Sequence, residues 1–476
     1  MKSINVSDLK KAKRFFMEGR DLHKAGEFAK AEASYKNVLK IIPTQPDALH
    51  MLGVAAFQQD RFEEAEKLIA AAIRCAPKSA LIFYNYGNAL RKLARLDAAI
   101  QAFTRALELD PSHILSLEQI GNIHKELNQF EKAYQYYDQL LSIDPNNAIG
   151  RCNKAIALLT EGKLTEGWKL YGSRLDSTFK ENHSITNVVP RLAPDWDGER
   201  PSKPLLVLPE QGLGDQIFYG GMLTDLELAG IEALVCVDKR IVPLFRRSFP
   251  SLTFTTLEQV AALEQGGNVF GAQVAMASMG QWLRRSAADF KKIRSPFLRC
   301  EKTRTVSLRE ELKKSSRLLI GLSWKSLHAG NGRTKSCTLD QLLPLLKINN
   351  ADFVDLQYGD TAGERAQIHE TYGVDIKRLE TIDNTIDIEG LAALIDACDV
   401  VVTVSNTTAH LAAALGKPTL VLLPWHSPLW YWHLGSLDSP WYPSVTLLRQ
   451  ASHGEWQVPL SEARKLISSL AQGQYS

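Results

Sequence analysis

Residues 87–111 read GNALRKLARLDAAIQAFTRALELDP, and this stretch decides the fold of the first third of the chain. Its glycine, its alanine at position 99 and its final proline each recur at a step of 34 residues, with apolar residues at helical spacing between them. The register predicts two helices per repeat, in which the small residues lie where the helices pack and the proline ends the second helix. The markers are Gly19, Gly53, Gly87 and Gly121, then Ala31, Ala65, Ala99 and Ala133, and then Pro43, Pro77, Pro111 and Pro145.

The pattern resembles the tetratricopeptide repeat, with four units over about residues 12–147. A fifth, degenerate unit begins near Asn147, where Ala155 replaces the glycine and Gly167 replaces the alanine. Arrays of this kind expose a concave face built from the first helices, which forms a groove for an extended peptide. We therefore expect a protein partner along the groove.

Four amide side chains are expected to face this groove. Because an amide carries donors and an acceptor, it can hydrogen-bond a peptide backbone whatever the sequence of the peptide. The alternative is that these side chains are solvated polar positions without a ligand. The predicted acceptor-binding residues are Asn85, Asn88, Gln119 and Asn122.

The composition narrows the class of protein. The 476 residues allow about three domains, and 56 Lys and Arg against 53 Asp and Glu leave a net charge of +3. This near balance excludes a global field for nucleic acid or an anionic membrane. The six cysteines have neither metal-ligand spacing nor a C-x-x-C pair, so we expect no zinc and no disulfides. No apolar segment is long enough for a membrane span, so we expect a cytoplasmic protein.

The rest of the chain predicts two α/β lobes. Short apolar runs alternate with helical patterns after a proline-rich linker, the order typical of parallel βαβ units. Ligands of such lobes bind at the carboxyl ends of the strands. We also expect helices over 215–229 and 339–346 and a strand over 353–357. The predicted domains are residues 1–147 (repeats), 148–202 (degenerate repeat, joint and linker), 203–316 (first lobe with connecting helices) and 317–476 (second lobe).

The first predicted strand runs into the turn Glu210–Asp215 (EQGLGD), whose glycines let the backbone approach a ligand and whose helix start suits an anion. Asp215 either takes a proton from an acceptor hydroxyl during group transfer or simply caps the helix. A dinucleotide fold would use G-x-G-x-x-G here, but Ile217 stands at the third glycine. Asp238, after the next strand, keeps an NAD-type oxidoreductase open as a weaker alternative.

A basic loop follows the first strand of the second lobe. Ser323 and Lys325 begin it, and His328, Arg333 and Lys335 complete a set of hydroxyl and cationic groups suited to a diphosphate. The loop is superficially similar to a P-loop. Residues 329 and 334 are alanine and threonine instead of the required glycines, which excludes a Walker-type NTPase.

Residues 404–411 (VSNTTAHL) again lead from a strand into a helix. Small and polar residues at a helix start form an anion cradle from backbone N–H groups. His410 is either a ligand contact or a histidine packed on the helix.

Two other segments leave their roles open. Asp195 and Asp197 match the D-x-D signature of metal-dependent sugar transferases, but they lie in the linker, where an Asp197-Gly198 turn explains them better. An aromatic-rich segment near the end of the chain stacks on a sugar or base, or packs the lobe. Its members are Trp425, Trp430, Tyr431, Trp432, Trp441 and Tyr442.

The repeat array, the EQGLGD turn and residues 405–419 (SNTTAHLAAALGKPT) together resemble bacterial repeat-containing glycosyltransferases whose catalytic part is similar to the heptosyltransferases. The resemblance covers nearly the whole chain. It implies an α-helical superhelix followed by a GT-B region with two Rossmann-like lobes. The architecture is also similar to that of O-GlcNAc transferase, whose repeats recruit a protein acceptor.

The resemblance implies roles for individual residues. Asp215 matches the proposed base, and Ser323 with Lys325 or Lys335 matches the groups that hold the donor diphosphate. The acid of the family's D-T-G-x-x-H segment is Ser405 here, which leaves the donor open. The implied donor-binding residues are Gln211, Gly212, Gly214, Ser323, Lys325, Lys335, Gln357, Ser405, Asn406, Thr407, Thr408 and His410.

The leading hypothesis is a metal-independent, inverting glycosyltransferase. It moves a sugar from a nucleotide-activated donor, with CMP or UDP favoured, to Ser or Thr of a protein held by the repeats. Flagellin as acceptor and a nonulosonic acid as sugar are hypotheses from analogy. The missing acid at Ser405 keeps a catalytically inactive scaffold or chaperone-like interaction protein as the alternative.

Overall fold

A computed structural model describes residues 5–176, 191–210, 212–262, 269–291, 295–313, 315–327, 332–425, 429–433 and 436–471. The chain divides into two compact units, Met1–Lys154 and Ala155–Ser476. Within the described ranges, no helix has the length and apolar character needed to cross a membrane.

The first unit is built from helix pairs that follow the 34-residue register. A Cβ atom at Gly87 would lie 2.5 Å from the ring of Phe103, and one at Gly121 would lie 2.6 Å from the ring of Tyr137. Only glycine therefore lets the paired helices approach this closely, which confirms the prediction from the repeat pattern. The helices are α1 (Val6–Lys24), α2 (Phe28–Ile41), α3 (Pro46–Gln58), α4 (Phe62–Cys75), α5 (Ala80–Lys92), α6 (Leu96–Leu109), α7 (Ile114–Glu126) and α8 (Phe130–Ile143).

The turn inside each repeat holds a residue in the left-handed backbone region. The φ angles are 76° at Gly26, 58° at Asp60, 58° at Ala94 and 59° at Asn128, again 34 residues apart. Glycine adopts this conformation freely, whereas an alanine does so at a cost of about 1–2 kcal/mol. The turn geometry therefore repeats through the array even where the side chain disfavours it.

A fifth helix pair consists of α9 (Ala148–Glu161) and α10 (Leu164–Tyr171). Gly162, in the turn between them, has a φ of 84° and lies 34 residues after Asn128. A Cβ atom at Gly167 would lie 2.7 Å from the side chain of Leu159. This pair is the degenerate unit that the sequence predicts, and the division between the two units falls inside α9.

The first lobe of the second unit holds a parallel sheet whose central strand leads into the EQGLGD turn. Its elements are β1 (Leu205–Leu208), β2 (Ala233–Cys236), β3 (Thr253–Thr255), β4 (Ala272–Ala275), α11 (Leu213–Gly220), α12 (Leu223–Leu228), α13 (Val242–Ser248), α14 (Leu257–Ala261), α15 (Gly280–Leu283), α16 (Ala287–Phe290) and the connecting helix α17 (Lys302–Leu312). Among the described residues the strand order is β3-β2-β1-β4. The helix expected over 215–229 is divided into α11 and α12, because the chain turns at Gly221 and Met222.

The second lobe is built around a larger sheet. Its elements are β5 (Leu318–Ser323), α18 (Gly332–Lys335), α19 (Leu343–Leu346), β6 (Ala351–Asp355), α20 (Ala362–Tyr372), β7 (Ile376–Lys377), α21 (Ile388–Ala397), β8 (Val400–Val404), α22 (Thr407–Ala414), β9 (Thr419–Leu423), β10 (Asp438–Ser439), β11 (Tyr442–Arg449) and α23 (Gln457–Ala471). In the part of the chain that the structure describes, the order is β10-β11-β9-β8-β5-β6-β7, and every pair is parallel except β10 with β11.

Two elements of this lobe differ from the expected bounds. The helix expected over 339–346 begins only at Leu343, because Pro344 is tolerated in the first turn and not in a helix interior. The strand expected over 353–357 ends at Asp355, whose carboxylate accepts a hydrogen bond of 2.8 Å from the N–H of Gln357 and starts a turn.

Apolar residues of both lobes share one core. The ring of Phe218 lies 4.3 Å from the ring of Tyr431 and 4.4 Å from that of Trp441, measured between centroids. The late aromatic segment thus mostly packs the interior, since Trp430, Trp432, Trp441 and Tyr442 are all buried. Arg247 of α13 also donates to both carboxylate oxygens of Glu389 on α21, at 3.0 and 2.7 Å. These contacts hold the carboxyl ends of the two sheets near each other.

Candidate functional site

A pocket of about 230 Å³ lies where the strand ends of the two lobes meet. The turn after β1, the loops after β5, β6 and β9, and the start of α22 all contribute to its wall. We call it the cleft pocket. Its lining residues are Gly212, Leu213, Gly214, Asp215, Ser326, Lys335, Tyr358, Ser405, Asn406, Thr407, His410, Leu429 and Tyr431.

The glycines of the EQGLGD turn allow the two lobes to approach closely. A Cβ atom at Gly214 would lie 3.3 Å from Thr407 Oγ1 and 3.4 Å from the ring of His410. The turn therefore brings α11 against the start of α22, with Gly212 also in the wall. Gln211, a predicted donor-binding residue, lies outside the described residues.

Asp215 is the carboxylate among the described residues that line the cleft pocket. It is half-buried, and no described residue donates a hydrogen bond to it. Burial, reinforced by the negative charge of Glu210, raises its pKa to about 6, against the opposing charges of Lys335 and Arg174. The side chain is therefore mostly ionised at neutral pH and free to accept a proton.

Lys335 supplies the positive charge of the cleft pocket. Its residue is 5% exposed, and within the described part of the chain its ammonium makes no hydrogen bond or ion pair. Burial lowers its pKa, and the charge of Asp215 acts in the opposite direction. The ammonium of this mostly buried lysine belongs to the pocket wall and has no partner among the described residues, so the position suits an anionic ligand.

The rest of the basic loop lies elsewhere. Lys325 pairs through Nζ with Glu364 and, with the exposed Arg333, lines a separate cavity of about 530 Å³ beside α20. His328 lies outside the described residues. Of the two lysines that the sequence left as alternatives, the structure thus brings only Lys335 to Asp215.

Several predicted donor-binding side chains bond to one another, and of these Ser323 and Gln357 do not line the cleft pocket. Gln357 Oε1 accepts from Ser323 Oγ at 3.1 Å and from the backbone N–H groups of Trp324 and Lys325 at 2.9 and 2.8 Å. Asn406 Nδ2 donates to Ser323 Oγ at 2.8 Å. Gln357 and Ser323 are each 1% exposed. The sequence predicted that Ser323 and Gln357 contact the donor directly. In the structure they instead hydrogen-bond groups at the ends of β5 and β8, next to the pocket.

Behind Gln357 lies a buried carboxylate held by two arginines. Asp355 is fully buried, and its oxygens lie 3.2 Å from both Arg365 and Arg378. Burial raises the pKa of Asp355, although its hydrogen bonds and the two cations oppose the shift. This cluster fixes the end of β6.

The start of α22 combines satisfied and unsatisfied groups. Ser405 Oγ accepts from Trp432 Nε1 at 2.8 Å, and Asn406 caps the helix by accepting from the N–H of Ala409 at 3.2 Å. Thr407 lines the pocket, whereas the buried Thr408 hydroxyl has no hydrogen-bond partner among the described residues. N–H groups of the first helical turn lack intrahelical partners, which favours an anion here.

His410 is a packed histidine that also forms part of the pocket wall. Its Nδ1 lies 3.1 Å from the Tyr442 hydroxyl and its Nε2 lies 3.3 Å from the Tyr431 hydroxyl. Its ring stacks on Trp432 at 5.1 Å. Burial and the charge of Lys335 lower its pKa to about 3, so the ring is neutral at pH 7. The ring is thus packed on the helix with both nitrogens close to hydroxyl groups, and its contact with a ligand stays a prediction.

Asp238 and Asp197, two other acidic candidates, form hydrogen bonds with neighbouring residues of the chain. Asp238 receives two side-chain hydrogen bonds from Arg240, at 2.9 and 2.7 Å, which occupies the carboxylate that a ribose would need. Asp197 Oδ1 accepts from the N–H of Glu199 at 3.0 Å, and Gly198 has a φ of 93°, so this segment is a turn. In the described ranges, no group of three or more His, Cys, Asp or Glu side chains is arranged to hold a metal.

The amides of the repeats are partly used between neighbouring helices. Asn85 Nδ2 donates to His50 Nε2 at 2.7 Å, and Gln119 Oε1 accepts from Arg91 at 2.6 Å. Asn88 is half-buried and hydrogen-bonds Tyr84.

Asn122 differs most from the expected position in the groove. It is 8% exposed, accepts from the Tyr137 hydroxyl at 2.8 Å and donates to Glu118 at 3.3 Å. Its amide is therefore occupied inside the array.

Two residues near Asp215 had no role in the sequence prediction. Arg174, in a short 3-10 turn at Gly172–Leu175, donates to Glu210 at 2.6 Å. Glu210 stands inside the quoted turn, but its partner is 36 residues away in the chain. No sequence spacing signals such a pair, because the contact depends on how the joint packs on the lobe.

Comparison with known proteins identifies which residues form the repeats. Family models described as tetratricopeptide repeat match residues 22–84, 80–113 and 116–147. Protein FlbA of Caulobacter vibrioides is 32% identical over 336 residues, 67% of this chain and 54% of FlbA. The chain thus spans about half the length of this curated relative.

Three solved structures that are similar to this chain each cover little more than a third of it. A crystal structure of MamA has a TM-score of 0.33 at 23% identity, over 38% of this chain and 99% of that one. YrrB, described as a TPR protein with an unusual peptide-binding site, has a TM-score of 0.31 at 18% identity. The match covers 36% of this chain and 91% of YrrB. The thermophilic TPR protein TTC0263 of Thermus thermophilus has a TM-score of 0.32 at 19% identity. The match covers 36% of this chain and 97% of TTC0263. From the matched family models, residues 22–147 are tetratricopeptide repeats, a module that mediates interactions with other proteins.

Proposed function

We propose that this protein transfers a sugar from a nucleotide-activated donor to a Ser or Thr hydroxyl of a protein that its repeats bind. The observation that carries the proposal is the pairing, in one pocket, of an unbonded carboxylate with an unbonded buried ammonium. Asp215 and Lys335 have no hydrogen-bond partners among the described residues, and each influences the pKa of the other. Such an arrangement suits a reaction in which a proton is removed at one place and negative charge develops at another.

The proposed step is a single displacement. Asp215 accepts the proton of the acceptor hydroxyl while the hydroxyl oxygen forms a bond to the anomeric carbon of the donor. The bond between that carbon and the phosphate oxygen breaks, and the electron pair leaves with the nucleotide. Lys335 and the N–H groups at the start of α22 stabilise the charge of the leaving phosphate. One displacement inverts the configuration at the anomeric carbon.

The surrounding groups support this assignment of roles. The Gln357, Ser323 and Asn406 network fixes the ends of β5 and β8, so the lysine and the helix start are held in place before a donor binds. Two lobes with parallel sheets and a pocket at their strand ends are also the arrangement in which α/β folds bind ligands. The repeats supply the means of recruiting a protein acceptor.

The test compares the two lysines that the sequence could not separate. A nucleotide or activated sugar at 100 times its Kd stabilises the folded state by about 2.7 kcal/mol, so CMP, UDP, GDP and ADP derivatives are screened by their effect on Tm. Lys335→Met should weaken binding of the active compound about 10- to 100-fold, because a charged hydrogen bond is lost. Lys325→Met, whose lysine pairs with Glu364, should bind within about threefold of wild type.

The outcomes separate the functional classes. If no nucleotide or activated sugar raises the Tm of the wild-type protein, the transferase proposal fails and an interaction protein remains. Stabilisation by NAD alone would favour the oxidoreductase. Equal losses for both lysine variants would remove Lys335 from its proposed role.

A further inference from the structure

We propose that the ion pair between Arg174 and Glu210 is a positioning device for Asp215: it holds the turn that carries this carboxylate. The inference rests on the proposed function only where turnover is measured. Glu210 is the first residue of the turn and Arg174 is its partner from outside the turn, and neither makes a hydrogen bond to Asp215. They act through the turn and through their charges.

The geometry ties three segments together at Glu210. Its Oε1 accepts from Arg174 at 2.6 Å and from the N–H of Ala277, after β4, at 2.9 Å. Its backbone carbonyl accepts from Gln216 Nε2 at 2.7 Å, one residue beyond Asp215. The carboxylate of Glu210 therefore ties the start of the turn to Arg174 and to the end of β4, and its backbone carbonyl ties the start to the residue after Asp215.

Arg174 is itself held rigidly. It is 8% exposed, and its guanidinium donates to Ser278 Oγ at 3.1 Å and to the carbonyl of Tyr171 at 3.2 Å. The guanidinium also lies 4.5 Å from the ring centroid of Tyr171. Because these contacts hold the guanidinium in one position, its distance from the pocket, and therefore its electrostatic effect there, is constant.

The charged and titratable groups around Asp215 have opposing effects. Glu210 disfavours its ionised form, whereas Arg174 and Lys335 favour it. Four other groups nearby are neutral at pH 7: His410 on α22, Tyr219 on α11, Tyr431 and Tyr442. The ion pair thus places one charge of each sign near the carboxylate, and each end can be removed separately.

The two ends of the pair should move the pKa of Asp215 in opposite directions. Arg174→Met removes a positive charge, so the pKa rises by about one pH unit. Glu210→Gln removes a negative charge and leaves the arginine unneutralised, so the pKa falls by about one pH unit. Arg174→Lys keeps the charge and should stay near wild type. A residue that only supports the fold would not give shifts of opposite sign.

The measurement is a carboxyl NMR titration of the full-length protein labelled at aspartate, with the Asp215 signal assigned by its loss in Asp215→Asn. Asp225→Asn is the matched control, because Asp225 and Arg284 form another buried pair of the first lobe, at 2.9 and 2.8 Å. The charge of that pair does not act on Asp215. The control should lower stability and leave the pKa of Asp215 unchanged.

Shifts of the same sign in both variants, or no shift in either, would overturn the inference. Where Arg174→Met does not fold, Glu210→Gln decides: a lower pKa of Asp215 supports the inference, and a raised or unchanged pKa overturns it. If turnover is found, the acid limb of kcat/KM should move with the titrated pKa. Opposite shifts without any turnover would leave this inference standing and reject the proposed transferase, whereas turnover with unmoved pKa values would reject only the inference.

Discussion

The polar groups of the repeats and those of the cleft pocket are used in opposite ways. Among the repeat amides, Asn122 is occupied by Tyr137 and Glu118, and Asn85 by His50. In the cleft pocket, a similar buried network satisfies Ser323 and Gln357, yet Asp215 and Lys335 remain without partners among the residues that the structure describes. The difference teaches that polar residue type and position do not identify a ligand-binding group. What distinguishes Asp215 and Lys335 from these residues is that no described residue hydrogen-bonds their side chains, and this is the basis of the proposed site.

The strongest test of this difference is Asp215→Asn. The amide cannot take the acceptor proton, so the transfer rate should fall about 10²- to 10⁴-fold. The nucleotide-induced rise in Tm should persist, because the shape of the pocket is kept. Rates are measured with the donor and acceptor at saturation. Full activity in this variant would remove Asp215 as the base.

A second test asks whether the repeats keep their own stability. Phe103 is fully buried against Gly87, so Phe103→Ala should cost about 3–5 kcal/mol of unfolding free energy. The control Arg105→Ala removes a half-exposed side chain that pairs with Glu108 and should change stability by less than about 0.5 kcal/mol. Urea denaturation of the full chain measures both. Equal effects would show that the glycine seam does not stabilise the array.

The smallest expected effect concerns the repeat amides. Asn122→Ala leaves the buried hydroxyl of Tyr137 without its acceptor and should cost about 1–3 kcal/mol. The double variant Asn122→Ala/Tyr137→Phe removes that hydroxyl and should recover part of the loss. Denaturation measures both variants. A loss of partner binding without any loss of stability would instead assign Asn122 to the groove.

The sequence predicted the repeats better than the site, for a physical reason. The contact between Gly121 and Tyr137 joins residues 16 positions apart within one repeat, so it recurs in the sequence four times. The contacts that decide the site are made once and join distant residues. Lys325 and Lys335 look alike in the sequence, and only the packing of α20, which carries Glu364, separates them.

Strand ends were a partial guide to the site. The EQGLGD turn and the start of α22 do meet in the cleft pocket, because the carboxyl ends of parallel strands share an edge of each sheet. Gln357 was expected as the last residue of a strand, but β6 ends at Asp355, and the side-chain oxygen of Gln357 accepts three donors from the β5 end. Arg174 had no signal in the sequence at all.

The sequence by itself determined the helix pairs and the alternation of parallel strands with helices, because these depend on local periodicity and on steric limits at glycine and proline. It did not locate β3, β4, β7, β10 or β11. The tertiary structure alone decided which of the polar residues are satisfied and which are left exposed to a ligand. That outcome depends on desolvation and on partners from distant segments, such as the burial of Lys335 opposite Asp215 and the approach of Arg174 to Glu210. Neither is encoded in any single stretch of the chain.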